Sequence, residues 1–252
     1  LRSFDKYTPY PEEINRKLTD SLTDYFFAPT SLAKSNLIKE GIPENKVFVT
    51  GNTVVDALMH ALTLPFSLNN VPELKNIPFN GEKILLVTAH RRENHDGPLS
   101  NICNALKELE HSFNDLQIIY PVHLNPAVRQ TVYQMLGKTE RIHLINPVDY
   151  LTFVHLMKNS YLILTDSGGV QEEAPSLGKP VLVMRKVTER PEAYEAGVAK
   201  IIGTEKEAIV REASALLTDN SLYASMSQVK NPYGDGKAGN RIVKIILDEF
   251  LN

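Results

Sequence analysis

The stretch YLILTDSGGVQEEAPSLGKPVLVM, residues 161–184, decides the fold. An apolar run, YLILTD (161–166), ends at Asp166. Ser167, Gly168 and Gly169 then form a tight turn, and a helix is predicted from near Val170 to Gly178. Pro180 opens a second apolar run, PVLVMR (180–185). Nearly unbroken apolar runs of strand length suit strands covered by helices on both faces, so the stretch reads as one βαβ unit of a parallel sheet.

Further strands are predicted at DYFFAP (24–29), KVFVTG (46–51), KILLVTA (83–89), LQIIYPV (116–122), IHLIN (142–146) and AKIIG (199–203). Helical patterns lie between them. PEEINRKLTDSLT follows a proline, Ser31 is placed to cap SLAKSNLIKEG with Gly41 as its stop, and LSNICNALKELEHSF, EAIVREASALLTD and GNRIVKIILDEFL are amphipathic. The alternation predicts an α/β fold with a doubly wound parallel sheet. Residues 62–81 hold three prolines among Asn and Ser and read as a linker or domain-edge segment. The part after this seam can build a complete sheet. The part before it supplies only two strands.

The 252 residues are 42% hydrophobic and 23% charged, with a formal net charge of −3. That composition excludes a disordered or disulfide-scaffold protein, and no global basic field points to nucleic acid. The single cysteine, Cys103, sits in a periodic run and reads as a buried hydrophobe. No apolar run is long enough for a membrane span and there is no secretory signal, which makes the cytoplasm the default location. The chain opens at Leu1 on a polar and aromatic stretch that resembles neither a domain start nor a signal peptide.

Chemistry gathers at the predicted strand ends. At the first glycine turn, close backbone approach and the unpaired N–H groups of a helix N-terminus suit a phosphate. Ser167 adds a hydroxyl, and Glu172 or Glu173 can accept from a ribose cis-diol; the competing reading is a plain turn with Ser167 as N-cap. LLVTAHRRENHDG places His90, Arg91, Arg92, Glu93, Asn94 and His95 after another buried strand. Arginines grip phosphate oxygens and histidine acts as acid or base near neutral pH, although a solvated loop of mutually paired charges remains open. TERPEAYEAG (188–197) brings Arg190 to the same crevice, with Pro191 opening a helix. YPVHLNP (120–126) places His123 and Asn125 past a fourth strand. Phe153 reads as core on pattern alone, with base stacking the minority reading. Glu12 and Glu13, beside Asn15 and Arg16, are an acid/base pair or, more simply, a charged helix start. The seven histidines lack metal-site spacing and there is no cysteine cluster, so no zinc is expected. The P-loop and GxGxxG patterns are absent, which disfavours P-loop ATPase and nicotinamide-cofactor readings.

In this order, PEEINR, FVTGNTVVDAL, TAHRREN, YPVHLNP, TDSGGVQEEAPSLGKPVLVMR, TERPEA and NPYGDGKA closely resemble the non-hydrolysing UDP-N-acetylglucosamine 2-epimerases, from Leu1 to the C-terminus. The resemblance implies the GT-B architecture, two Rossmann-like domains facing a cleft, and interconversion of UDP-GlcNAc and UDP-ManNAc for surface-polysaccharide synthesis. It implies that Ser167, Gly168 and Gly169 hold the diphosphate, that Glu173 meets the ribose hydroxyls and that Phe153 lies near uracil. His90 and Arg190 would lie near the phosphates, with Glu12 and His90 in catalysis. Arg91 and His123 match positions that touch a second, allosteric UDP-GlcNAc in some bacterial members. The implied chemistry is C2 deprotonation with loss of UDP to give 2-acetamidoglucal, then re-addition, with no metal or redox cofactor. The implied partners are UDP-GlcNAc or UDP and a second copy in a homodimer, with no nucleic acid or membrane.

In the family, an HVEAG-like segment precedes LRS, and before it comes roughly a domain, on the order of 100 residues. Residues 1–60 are therefore expected to be the end of an N-terminal domain with its connection. Residues 61–252 are expected to be the UDP-binding domain, whose last helix returns to the first. The chain alone is expected to bind UDP weakly and turn over poorly. The alternatives are a GT-B glycosyltransferase, a non-catalytic UDP-sugar-binding module, or a hydrolysing epimerase.

Overall fold

The computed structural model describes residues 4–7, 10–91, 94 and 97–250. Leu1, the first residue of the sequence, and Leu251, at the end of the predicted final helix, lie outside them.

Two parallel sheets form. The smaller pairs β1 (Phe26–Ala28) with β2 (Val47–Val49), joined by α2 (Ser31–Lys39). Phe26, Ala28, Leu37 and Val47 make its core. The N-cap of α2 is Thr30, not Ser31: the Thr30 hydroxyl accepts from the Ala33 N–H at 3.0 Å, while Ser31 is already helical. Either hydroxyl suits a cap, and the extended backbone at Thr30 decides between them. Gly41 ends the helix as expected. With φ +93°, it donates to Ile38 O while Ile42 N donates to Leu37 O, the paired bonds of a Schellman turn. Before β1, α1 (Glu12–Ser21) is tied to the end of α2 by Arg16, which bonds Glu13, Asp20 and Glu40 at 2.6–2.9 Å.

The larger sheet starts with β3 (Lys83–Thr88). Winding one way come α4 (Gly97–Ser112), β4 (Leu116–Pro121), α5 (Pro126–Leu136) and β5 (Ile142–Ile145). After α6 (Tyr150–Asn159) the chain returns to the other side of β3 as β6 (Leu162–Thr165). It continues through α7 (Gly168–Glu173), β7 (Val181–Val183), α8 (Pro191–Glu195) and β8 (Ala199–Ile201). The order is β5-β4-β3-β6-β7-β8, every neighbouring pair parallel. Side chains of β3 alternate between two cores. Leu85 and Val87 join Ile102, Leu106 and Leu109 of α4 on one face, and Ile84 and Leu86 join Val154 of α6 on the other. Burial on both faces is why the strand reads as an unbroken apolar run.

The second core also takes Val55 and Leu58 of α3 (Thr53–Ala61) together with Leu68, Leu74 and Ile77. Residues 62–81 are thus not a free linker. Two 3-10 turns, Leu68–Asn70 and Pro72–Leu74, bury Leu68 and Leu74 in this core. Beyond β8 come α9 (Lys206–Thr218), α10 (Asn220–Ser227) and α11 (Ala238–Phe250). Asp56 of α3 accepts from the first N–H groups of α11, Ala238 at 3.0 Å and Gly239 at 2.8 Å. The other end of α11 reaches the smaller sheet, where Tyr25 donates to Glu249 at 3.2 Å. The two crossings between the sheets touch: Asn52 N donates to Tyr233 O at 2.7 Å, and a Cβ on Gly51, at φ +90°, would lie 3.4 Å from Gly234 Cα. No described helix is long and apolar enough to cross a membrane.

Candidate functional site

The sheet reverses its winding between β3 and β6, and in open α/β sheets the crevice outside the strand carboxyl ends at such a point is the ligand site. The loop after β3 carries His90 and Arg91; the turn after β6 carries Asp166, Ser167, Gly168 and Gly169.

Asp166, fully buried, holds the two together. Its Oδ2 accepts from His90 N at 2.8 Å, Arg91 N at 2.8 Å and Asn94 Nδ2 at 2.9 Å. Its Oδ1 lies 3.3 Å from His90 Nδ1, close enough for an ion pair but without a hydrogen bond in this geometry. His123 stacks on His90 with centroids 5.5 Å apart and planes 17° apart, and its Nδ1 accepts from Asn125 N. Arg92, Glu93 and His95 of the same polar group lie outside the described residues.

The turn after β6 is helical from Gly168, two residues earlier than expected. A 3-10 turn over Ala174–Leu177 extends it to Gly178, in the left-handed conformation at φ +65°. Ser167 occupies the N-cap position, yet its side chain makes no capping bond. Arg190 lies against Gly168: a Cβ there would meet the guanidinium carbon at 3.3 Å. Arg190 Nε is bonded to Glu172, whose other oxygen accepts from Asn52 Nδ2 at 2.7 Å. Gln171, fully buried, donates to Ser167 O and accepts from Thr188 Oγ1. The Thr188 hydroxyl in turn accepts from Arg190 N. These bonds lock the TERP loop onto the glycine turn. Beneath it, buried Arg185 grips Glu189 with two bonds, 2.5 and 2.9 Å. Burial alone would raise the Glu189 carboxyl; the Arg185 guanidinium overrides it and holds it at about 2.

The two acids of the QEE motif separate. Glu172 is committed to Arg190 and Asn52. Glu173 accepts from Tyr150 Oη at 2.7 Å, and burial pushes its carboxyl above the usual range against the lowering effect of that hydroxyl. Phe153, half-buried against the second core, stands one helical turn from Tyr150 on α6. Glu12 stays apart, exposed in the first turn of α1, and makes no hydrogen bond or ion pair among the described residues; its neighbour Glu13 is buried on Arg16. A cavity of about 310 Å³ adjoins the TERP loop, lined by Pro29, Asn52, Glu172, Thr188, Arg190 and Glu192. Another cavity, of about 750 Å³, flanks the Gly51–Gly234 crossing, and His90, Ser167 and Arg190 are not among its lining residues. Asn94 reads in the sequence only as one of the polar group after β3, and Asp166, Gln171 and Tyr150 are not singled out there, since only tertiary pairing gives them partners.

Sheet order, glycine turn and the crevice at the switch point define a doubly wound α/β protein with a candidate ligand site at the strand carboxyl ends. Residues 1–247 match the family model for UDP-N-acetylglucosamine 2-epimerase, and the chain belongs to that family. A Thermotoga maritima relative is 52% identical over 250 residues, covering 99% of this chain and 66% of the relative. The UDP-N-acetylglucosamine 2-epimerase of Escherichia coli K12 is 49% identical over 256 residues, covering 100% of this chain and 68% of that protein. The crystal structure of the Neisseria meningitidis UDP-GlcNAc 2-epimerase bound to UDP-GlcNAc superposes with a TM-score of 0.88 at 45% identity, over 98% of this chain and 68% of that one. The chain thus spans about two-thirds of the length of these relatives.

Proposed function

We propose that this chain forms the nucleotide-binding part of a UDP-N-acetylglucosamine 2-epimerase, residues 61–252 holding UDP and residues 1–60 belonging to the facing domain. The observation that carries the reading is the meeting of Arg190, the Gly168 turn and the Asp166-held His90 loop at the switch point of the sheet. In this reading the Ser167–Gly169 backbone and Arg190 hold the diphosphate, Glu173 the ribose and Phe153 the uracil side. His90 faces the phosphates, and Glu12 serves acid/base chemistry from the other wall. Arg91 and His123 border a second UDP-GlcNAc.

The reaction interconverts UDP-GlcNAc and UDP-ManNAc through loss and re-addition of UDP. The departing group is a dianionic phosphate, so pre-placed N–H groups, arginine and histidine stabilise charge as it develops. A homodimer in the cytoplasm, feeding surface-polysaccharide synthesis, completes the proposal.

Calorimetry with UDP tests the binding half: measurable heat supports it, and none up to millimolar UDP overturns it. NMR of UDP-GlcNAc incubations tests the chemistry, with UDP-ManNAc as the expected product. Transfer to an added acceptor without epimer would instead indicate a glycosyltransferase.

Gly168→Ala separates binding from folding. Alanine suits a helical turn, so the unfolding free energy should change by no more than about 1 kcal/mol. Its Cβ presses on the Arg190 guanidinium, and UDP affinity should fall roughly tenfold, about 1.4 kcal/mol. Calorimetry and thermal unfolding on one sample check both.

A further inference from the structure

We infer that Asp166 is a positioning residue that fixes His90 in the Nδ1–H tautomer and leaves Nε2 as the basic atom of the ring. The inference deepens the proposed site and rests on that reading for its relevance to nucleotide chemistry, but not for its test.

The argument is geometric. Oδ2 of Asp166 is saturated by three N–H donors from the His90 loop. Oδ1 is buried, has no hydrogen bond among the described residues, and lies 3.3 Å from His90 Nδ1. A buried carboxylate oxygen left without a donor is costly. If Nδ1 carried a lone pair, two lone pairs would face each other across that gap. If it carries the proton, a small rotation of the ring completes the bond. The tautomer of a histidine is set by the partner of one ring nitrogen, and the other nitrogen is then free to take or hold a proton. His123 does not compete for Nδ1. It covers the face of the ring, and its own Nδ1 accepts from Asn125 N. Asp166 is thus placed to act twice, through the backbone of the His90 loop and through the ring.

The test uses the full chain labelled with 15N-histidine, read by long-range 1H–15N correlation at about pH 8.5, above the ordinary histidine range. The signal of His90 is identified by its loss in His90→Gln. In the unsubstituted protein Nδ1 should show the protonated, pyrrole-type shift and Nε2 the pyridine-type shift. In Asp166→Asn the three N–H donors hold the amide oxygen in the place of Oδ2, which turns the NH2 group toward Nδ1. The two shift types should then exchange completely.

A purely structural Asp166 would leave the pattern unchanged in Asp166→Asn, and that result overturns the inference. So does an Nε2–H tautomer in the unsubstituted protein, which decides the matter even if Asp166→Asn does not fold. No substrate is present, so an exchange of tautomer in a protein that fails to bind UDP would uphold this inference while removing the proposed function.

Discussion

Arg190→Ala should weaken UDP binding by about 1.5–3 kcal/mol, a roughly 10- to 150-fold rise in Kd. The size follows from placement. The guanidinium lies 3.3–3.5 Å from where a Cβ on Gly168 would stand, against the turn proposed to hold the diphosphate, and Glu172, itself held by Asn52, fixes its orientation. A pre-oriented fork loses little entropy on meeting a phosphate, which makes its removal expensive. Arg190→Lys keeps the charge without the plane or the Nε bond and should fall between the two. Glu172→Gln, which keeps the shape but weakens the anchor, should lose part of the same energy. Calorimetry with UDP measures all three, and an unchanged Kd for Arg190→Ala would remove Arg190 from the site.

The largest effect on stability is expected at Arg185. It is 5% exposed and doubly bonded to Glu189, so Arg185→Met leaves a half-buried carboxylate without its cation. Breaking such a pair costs about 3–5 kcal/mol when both charges are fully buried. Part of Glu189 meets water, which places this case near the lower limit, about 3 kcal/mol. Arg185→Met/Glu189→Leu should recover part of that loss, because no charge is left stranded.

The pH dependence has a definite sign. The Glu189 carboxyl sits at about 2 when folded against an ordinary 4.5. Its contribution is therefore complete above pH 4.5 and drains away as pH falls toward 2. Denaturant unfolding of the Arg185→Met protein should accordingly differ most from the parent at neutral pH and converge with it near pH 2. Parallel curves across that range would show that the pair does not carry the stability.

Much of the larger sheet was legible because its signals are local. Unbroken apolar runs mark strands buried on both faces, and Gly41 and Gly178 sit where a helix must stop. The seam at 62–81 was less clear because its three prolines outweigh Leu68, Leu74 and Ile77, whose irregular spacing matches neither helix nor strand. Ser31 and Thr30 are adjacent hydroxyls that composition cannot rank. At the site, Ser167, Arg190 and His90 were readable as residue types at strand ends. The division of labour between Glu172 and Glu173 was not, since it depends on Asn52, 120 residues from Glu172 along the chain. Asp166 looked like the plain end of a strand because its donors at His90, Arg91 and Asn94 are 72–76 residues away.

That separation sets the order of events while the chain is being made. Thr88 and Thr165, the last partners of the β3–β6 pair, are 77 residues apart. During vectorial synthesis β3, β4 and β5 emerge first, and one edge of the central strand stays unpaired until β6 follows. Parallel pairing over such distances is slow, and an apolar strand with an open edge is prone to aggregate. Asp166 arrives one residue after that edge is sealed and takes hold of the His90 loop. A nascent chain stalled before residue 166 would carry most of an unfinished sheet and the His90 loop, but not the glycine turn that faces it. In this fold the binding site is a late product of assembly, so ligand-dependent protection should emerge only after the exposed edge of β3 has disappeared.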